Sequence, residues 1–243
     1  MSRSPRHESG KQSVRRPLLI TVIVGLVLTG LAFGGQWLLR QSYFRVQHVL
    51  VTGNAHESSS EVEAKLGLDA HPILLTLSTA QLTKEMHSFP WVAAATVTKH
   101  WPNTIAIAVS ETTPVAVTWW HGAWVSVGAN GFDLGMTSAT TNLPTLQWSG
   151  SMTSWPFTGP AASDVLVASE LPSAFAAQVS TIRESAAGSI SLSLTTPVRF
   201  ILGAPTQLPA KFVAIASVIK NATLTPGDVV DVTVPTELAV SHP

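Results

Sequence analysis

Two runs of alternating apolar and polar residues, joined by a Pro-Asn step, form the clearest pattern in the chain. The apolar positions are Trp91, Ala93, Ala95, Val97 and Trp101 in the first run and Ile105, Ile107 and Val109 in the second. A period of two residues is typical of a half-buried strand. Pro102-Asn103 between the runs has the composition of a turn. The stretch from Pro90 to Glu111 therefore predicts a β-hairpin.

The residues before this hairpin predict one strand and two short helices. The first segment, YFRVQHVLVTGN, changes its alternation phase once, which is typical of a strand with a bulge. Two pairs have the spacing of a helix-starting capping box, Ser58 with Glu61 and Ser78 with Gln81. The predicted order over residues 44–111 is therefore strand, helix, helix, strand, strand.

The chain after the hairpin predicts a β-rich domain with one amphipathic helix. VAVTWW and AWVSV flank His121-Gly122 and predict a second hairpin. Residues 137–160 are rich in Thr, Ser, Gly and Pro and predict surface connections. Apolar residues at helical spacing then predict a helix, and alternating valines predict a final strand ended by Pro235. The helical positions are Leu208, Phe212, Ile215 and Ile219, and the strand positions are Val230, Val232 and Val234.

An apolar segment, Leu18 to Leu39, precedes all of these elements. It has 22 positions and no ionisable residue, and at about 1.5 Å per helical residue it can cross a hydrocarbon core of ~30 Å. Residues 1–17 contain five Lys/Arg and one acid, which places the N-terminus in the cytosol and the remainder outside. A cleaved export signal is the alternative, because Arg15-Arg16 precedes the run and Ala32-Phe33-Gly34 could be a cleavage site.

Charge and composition narrow the possible functions. The net charge is zero, yet the chain after Arg45 has 7 Lys/Arg against 13 Asp/Glu. An acidic outer body argues against nucleic-acid binding, which needs a basic patch. The chain has no cysteine, so neither a disulfide nor a thiolate metal site is available. A bacterial envelope protein fits these properties.

No catalytic or cofactor-binding motif is present in the sequence. The eight histidines are scattered, and His56-Glu57 lacks the second histidine of a zinc-binding helix. There is no Gly-x-Ser-x-Gly elbow and no phosphate-binding glycine loop. We therefore expect no catalytic residue, cofactor, metal or small-molecule substrate. An exported enzyme with an unfamiliar site is the opposing hypothesis.

A set of motifs between residues 44 and 116 follows directly after the predicted membrane segment. They are Phe44-x-Val46, Val49-x-Val51-x-Gly53-Asn54, Pro90-Trp91-Val92, Val97, Trp101-Pro102 and Val109-x-Glu111-x-x-Pro114-Val115-Ala116. Together with the element order, they resemble the POTRA domain of the FtsQ/DivIB family of bacterial cell-division proteins. The resemblance implies an α+β fold of five parts: a cytoplasmic tail (1–17), a single transmembrane helix (18–39), a POTRA domain (43–112), a β domain with a C-terminal helix and edge strand (113–236) and a short tail (237–243).

The resemblance also implies a function without catalysis. It is that of a divisome scaffold in the cell membrane, which links FtsB/FtsL-type partners and other division proteins at the septum. In the family, the partner adds a strand to the edge of the second domain. The matching residues are Val229, Val230, Asp231, Val232, Thr233 and Val234. The alternative is a POTRA-bearing component of a secretion or outer-membrane assembly system, which would carry tandem repeats or a long barrel.

Some residues depart from the family pattern or allow two interpretations. Gly128 stands where an aspartate is common, Thr112 where an arginine follows the glutamate, and Thr233 where an arginine follows the aspartate matched by Asp231. Glu111 could anchor a partner or form an internal hydrogen bond or ion pair. Trp119, Trp120 and Trp124 could form a binding face or belong to the core. We expect His48, His100 and His121 to face solvent or to form structural hydrogen bonds.

Overall fold

The computed structural model describes residues 15–39, 42–138, 142–148 and 154–242. Most of the predicted cytoplasmic tail, residues 1–14, therefore lies outside the described residues. Helix α1 spans Arg15–Leu39. None of the described helices combines the length and the hydropathy that a membrane crossing requires, so the transmembrane span stays a prediction.

The predicted order of strand, helix, helix, strand, strand is confirmed in the first folded unit. After a 3₁₀ turn at Ser42–Phe44, the elements are β1 His48–Thr52, α2 Ser59–Lys65, α3 Thr79–Met86, β2 Val92–His100 and β3 Thr104–Glu111. The central strand β3 pairs in parallel with β1 and antiparallel with β2. The hairpin predicted from the alternating pattern is therefore formed by β2 and β3.

The core of this unit lies between the three-stranded sheet and the two short helices. Ile105 and Ile107, the first apolar positions of β3, are fully buried. The other buried apolar residues are Val46, Val62, Leu66, Leu68, Leu74, Leu82, Met86, Phe89, Val92 and Val97. Burial of apolar surface is the main favourable contribution to folding, so the alternation along β2 and β3 decides which face of the sheet carries the helices.

The first predicted capping box is complete, whereas only one of the two hydrogen bonds of the second is formed. The Ser58 hydroxyl accepts the N–H of Glu61, and the Glu61 carboxylate accepts the N–H of Ser58. Ser78 likewise accepts the N–H of Gln81, but the Gln81 side chain donates to Glu85 Oε1 at 2.7 Å. A charged acceptor one turn further along gives this amide a stronger hydrogen bond than the helix start does.

The predicted bulge in the first strand is wrong. Phe44 ends the 3₁₀ turn, and β1 begins only at His48. Between them, Val46 N–H donates to Pro72 O, and Leu74 N–H donates to Phe44 O, each at 2.9 Å. The change of phase therefore marks a boundary between two segments with different partners, not an extra residue within one strand.

The second folded unit is built on a mixed sheet, in which the described residues form nine strands. In chain order they are β4 Pro114–Trp120, β5 Ala123–Gly128, β6 Asp133–Met136, β7 Thr145–Trp148, β8 Val179–Glu184, β9 Ile190–Leu194, β10 Arg199–Gly203, β11 Val229–Asp231 and β12 Ala239–Ser241. Across the sheet the order is β12-β11-β10-β9-β8-β7-β4-β5-β6. β4 and β5 confirm the hairpin predicted around His121-Gly122.

The described part of this unit also contains three helices: α4 Pro160–Glu170, α5 Ser173–Ala176 and α6 Leu208–Asn221. One apolar core contains residues of α4, of α6 and of the strands β7 to β11. Leu208, Phe212 and Ile215 of the predicted helical stripe are buried there, whereas Ile219 is 37% exposed. The predicted helix is thus confirmed, with its last stripe position at the surface.

The prediction of a surface connection for residues 137–160 is partly wrong. β7 lies inside the sheet, between β4 and β8, and its Leu146 is 2% exposed. β7 has only four residues, which is too few for alternation to stand out in a segment rich in turn-forming residues. Residues 139–141 and 149–153 of this stretch lie outside the described part of the chain.

The position predicted for the edge strand is also wrong. β11 is an inner strand, because it pairs in parallel with β10 on one side and antiparallel with β12 on the other. β12 comes from residues 237–243, which were expected to form a tail. Its three residues are all exposed, so no apolar alternation marks this strand in the sequence.

Candidate partner-binding edge

The last strand of the sheet at its C-terminal side is β12. It pairs with β11 at three positions, Ser241 with Val229, Val240 with Val230 and Ala239 with Asp231. Within the described part of the chain, no strand pairs with its outer side. Such a side presents backbone N–H and C=O groups to which a strand from another chain can bind. We call this outer side of β12 the C-terminal edge.

Asp228, in the turn before β11, connects the end of β12 to the body of the sheet. Its side chain is fully buried and accepts hydrogen bonds from the Thr225 N–H at 2.7 Å, the Thr225 hydroxyl at 2.9 Å and His242 Nδ1 at 2.7 Å. The hydrogen bond from the Thr225 backbone and then that from His242 lower the pKa of Asp228 below its ordinary value. The ionised carboxylate therefore holds the residue that directly follows β12.

The residues predicted to contact a partner, Val229 to Val234, lie beside the C-terminal edge but not on it. Val230 and Val232 are fully buried, and Val232 N–H donates to Ile201 O at 2.9 Å. Thr233 and Val234 are exposed in the segment that leads to β12. Their role in partner binding stays a prediction, and the open backbone at this end of the sheet belongs to β12.

Two of the departures from the family pattern, Thr112 and Gly128, meet where the two folded units join. Asn130 Nδ2 donates there to the carbonyl oxygens of Pro90 at 2.8 Å and Val92 at 3.1 Å. A Cβ at Gly128 would lie 2.6 Å from Asn130 Oδ1 and 3.0 Å from Thr112 Cγ2. An aspartate at position 128 would therefore displace Asn130. With glycine there, Asn130 can form its two hydrogen bonds between the units.

Glu111 is engaged inside the first unit, which favours the structural interpretation of this residue. Its Oε1 accepts the N–H groups of Ala55 and His56, and its Oε2 lies 2.6 Å from His56 Nδ1. Burial raises the pKa of Glu111, but the hydrogen bonds from His56 and Ala55 outweigh burial and lower it. The His56 ring also stacks on Trp91, with 3.7 Å between the ring centroids. Glu111 thus fixes the loop before α2.

The three tryptophans of the β4–β5 hairpin divide between the surface and the interior. Trp119 is 55% exposed and packs edge-to-face against Trp124, with 5.4 Å between the ring centroids. Trp120 packs on Trp155 at 5.5 Å, and Trp155 stacks on the core residue Phe157. Neither of the two interpretations holds for all three residues.

The arrangement of the titratable residues bears on the expectation that the protein has no metal site. Among the described residues, no group of three or more His, Cys, Asp or Glu side chains could hold a metal ion. His48, His100 and His121 are exposed, in agreement with the prediction. Two acids, Asp164 on α4 and Glu184 on β8, are instead buried apart from the C-terminal edge.

Asp164 has an unusual environment for a carboxylate. It is fully buried, and none of the described residues forms a hydrogen bond with either of its carboxylate oxygens. Burial and, second, the nearby Glu184 raise the pKa of Asp164 to about 7. Burial also raises the pKa of Glu184. Because both acids are shielded from solvent, they bear on the stability of the second unit.

The fold and the open edge together define a class: a two-unit protein in which a POTRA-type unit precedes a β-rich unit with a free sheet edge. The family model described as a POTRA domain of FtsQ type matches residues 44–112, which run from the 3₁₀ turn to the end of β3. The POTRA prediction is therefore confirmed.

Comparison with known proteins identifies the family. A cell division protein FtsQ from Streptomyces bingchenggensis is 27% identical over 238 residues, which are 94% of this chain and 87% of that protein. A cell division protein FtsQ from Streptomyces venezuelae is 30% identical over 190 residues, which are 74% of this chain and 68% of that protein. The chain belongs to the FtsQ/DivIB family.

A solved structure is also similar at low level. It is the major extracytoplasmic domain of the trans isomer of the cell division protein DivIB from Geobacillus stearothermophilus, 18% identical, covering 47% of this chain and 99% of that chain with a TM-score of 0.34.

Proposed function

We propose that this chain is a single-pass scaffold protein of the bacterial divisome, which recruits and links division proteins at the septum through its extracytoplasmic units. Membership of the FtsQ/DivIB family supports a role in cell division. The observation that carries the scaffold role is the C-terminal edge, where a strand with exposed side chains ends the sheet. Such an edge can bind another chain without any catalytic group.

A membrane anchor is part of the proposal. Leu18 to Leu39 contains no ionisable residue, and α1 exposes apolar side chains, with Leu26 68% and Phe33 70% exposed. Apolar surface of this kind is unfavourable in water, and lipid is its natural cover. The basic residues of the N-terminal segment orient the helix, so that the POTRA domain and the β domain lie outside the cytosol.

FtsB/FtsL-type proteins with a single membrane helix are the proposed partners. A partner strand adds to the C-terminal edge, where main-chain hydrogen bonds supply affinity and neighbouring side chains supply specificity. Val229 to Asp231 pair with β12 on its inner side, and Val232 to Val234 belong to the segment that leads to β12. Anchorage in the same membrane raises the local concentration of the partner, so a short strand contact is sufficient.

Proline substitution at the C-terminal edge tests the proposal directly. Val240→Pro removes a backbone donor from β12, whereas Val230→Pro would also disturb the core because Val230 is fully buried. We expect the full chain with Val240→Pro to lose co-purification of the FtsB-type partner from the same bacterium. The matched control is Met136→Pro in β6, at the opposite edge of the same sheet, where Met136 is 85% exposed. Undiminished capture by the Val240→Pro chain would refute this binding site.

The cellular role has its own test. A fluorescent fusion of the full chain should form rings at midcell, and depletion of the protein in its native bacterium should produce filaments. Depletion followed by normal septation would overturn the division role, whatever the result at β12.

A further inference from the structure

β12 is the strand of the second unit with the least support from packing. It has three residues, all exposed, and none of them belongs to the buried core. Short segments with few buried contacts open locally at low cost in free energy. If only backbone hydrogen bonds held it to β11, β12 would therefore be detached from the sheet for much of the time.

A buried anchor lies directly beside the end of this strand. The Asp228 carboxylate has no exposed surface and is fixed by the N–H and the hydroxyl of Thr225. The backbone of the same residue is tied to the sheet, since Arg199 N–H donates to Asp228 O at 3.0 Å. The anchor thus belongs to the rigid part of the sheet and does not move with β12.

His242 joins the strand to this anchor. Its Nδ1 lies 2.7 Å from Asp228 Oδ1, and an ionised carboxylate only accepts hydrogen bonds, so Nδ1 carries the proton. Both the neutral Nδ1–H tautomer and the doubly protonated ring can donate this hydrogen bond. The side chain of His242 is 66% exposed, so its contribution lies in this hydrogen bond more than in burial.

The same hydrogen bond also selects the register of β12. Ser241, the neighbour of His242, pairs with Val229, which follows Asp228 in the chain. A slip of β12 by one residue would move His242 by about 3.3 Å along the strand and break its hydrogen bond to the carboxylate. No apolar alternation in β12 could otherwise specify the register.

We propose that His242 is a positioning residue: its hydrogen bond to Asp228, which we call the pin, holds β12 in one register and so presents the C-terminal edge to an incoming partner strand. The consequence for the partner rests on the function proposed above, whereas the pinning of β12 does not. An unpinned strand can fray or slip, and either event removes the regular row of backbone groups that a partner strand needs.

Hydrogen exchange on the full chain in detergent tests the pin without any partner. His242→Ala should accelerate exchange of the amides of Ala239 and Ser241, which pair with Asp231 and Val229, by about tenfold, because one hydrogen bond to a charged group is lost. Exchange in β9 and β10 should not change. His242→Asn should restore slow exchange, since the asparagine Nδ2 can donate near the position of the imidazole Nδ1. His100→Ala, which removes another exposed histidine, is the matched control.

Partner binding is measured on the same variants, with the purified extracytoplasmic segment of the FtsB-type protein from the same bacterium as the probe. We expect His242→Ala to weaken binding by about tenfold and His242→Asn to restore it. Unchanged exchange in His242→Ala, or acceleration that His242→Asn does not reverse, would overturn the pin. Accelerated exchange with unchanged partner affinity would confirm the pin and show that the partner binds elsewhere, which contradicts the proposed docking edge.

Discussion

Neutralising the buried acid Asp164 should change how the stability of the β domain depends on pH. The pKa of this carboxyl is about 7 in the folded chain against an ordinary value of 3.8. In the unfolded chain the group ionises at the lower value, so folding takes up a proton between the two. Stability therefore falls as pH rises from 3.8 to about 7 and is constant above that range. Asp164→Asn removes this ionisation and should make the decline smaller, with the part that comes from the raised pKa of Glu184 remaining.

The size of the effect follows from the width of the pH window. Between pH 5 and pH 8, stability declines only up to the folded-state pKa of about 7, which is a range of about two pH units. At about 1.4 kcal/mol per unit, the loss of stability has an upper limit of about 3 kcal/mol. Relaxation around the charged group reduces the realised difference to about 1–2 kcal/mol. In a chain of this size, each kcal/mol corresponds to a change in melting temperature of about 2–4 °C.

Thermal unfolding of the full chain in detergent at pH 5 and pH 8 measures this difference. Asp164→Asn should exceed the wild-type melting temperature by several degrees more at pH 8 than at pH 5. Glu184→Gln should narrow the pH dependence, since the Glu184 charge contributes to the raised pKa of Asp164. Glu170→Gln, an exposed acid on the same helix α4, is the control. An equal gain at both pH values would show that Asp164 ionises as an ordinary carboxyl, which contradicts its raised pKa in the folded chain.

Three further substitutions test other contacts. Asn130→Ala removes two hydrogen bonds between the units and should accelerate amide exchange around Val92. Glu111→Gln should remove the contribution of Glu111 to the loss of POTRA stability that occurs as pH falls below the ordinary Glu pKa of 4.5, seen as a flatter acid-unfolding curve. Lys211→Met removes one donor from each of the carbonyls of Leu202 and Ala204, which lie 2.7 Å from Nζ. It should lower the free energy of unfolding by about 1–3 kcal/mol in denaturant titration.

The POTRA domain was largely predictable, because its signals are local. Capping residues such as Ser58 and the alternation from Ile105 onward act within a few residues along the chain. The amphipathic spacing that begins at Leu208 specifies α6 in the same way. The family resemblance, carried by the motifs of residues 44–116, added the expected function, which no single motif states.

The candidate site was only partly predictable. Alternating valines marked β11 as a strand. The strands that pair with it depend on segments elsewhere in the chain, and β12 has no apolar alternation from which it could be predicted. The burial of Asp228 and its hydrogen bond to His242 were equally hidden, since a carboxylate in a turn is normally exposed.

Sequence alone thus determined the order of elements in the POTRA domain, the apolar N-terminal segment and the family, because these depend on periodicity and motifs within short stretches. Only the tertiary structure decided which strand ends the sheet, which acid is buried and which residues meet at the junction. These features come from pairing and packing between segments far apart in the chain, such as Asp164 with Glu184 or Asn130 with Pro90. The physical reason is that burial and hydrogen bonding are set by the neighbours of a residue in space.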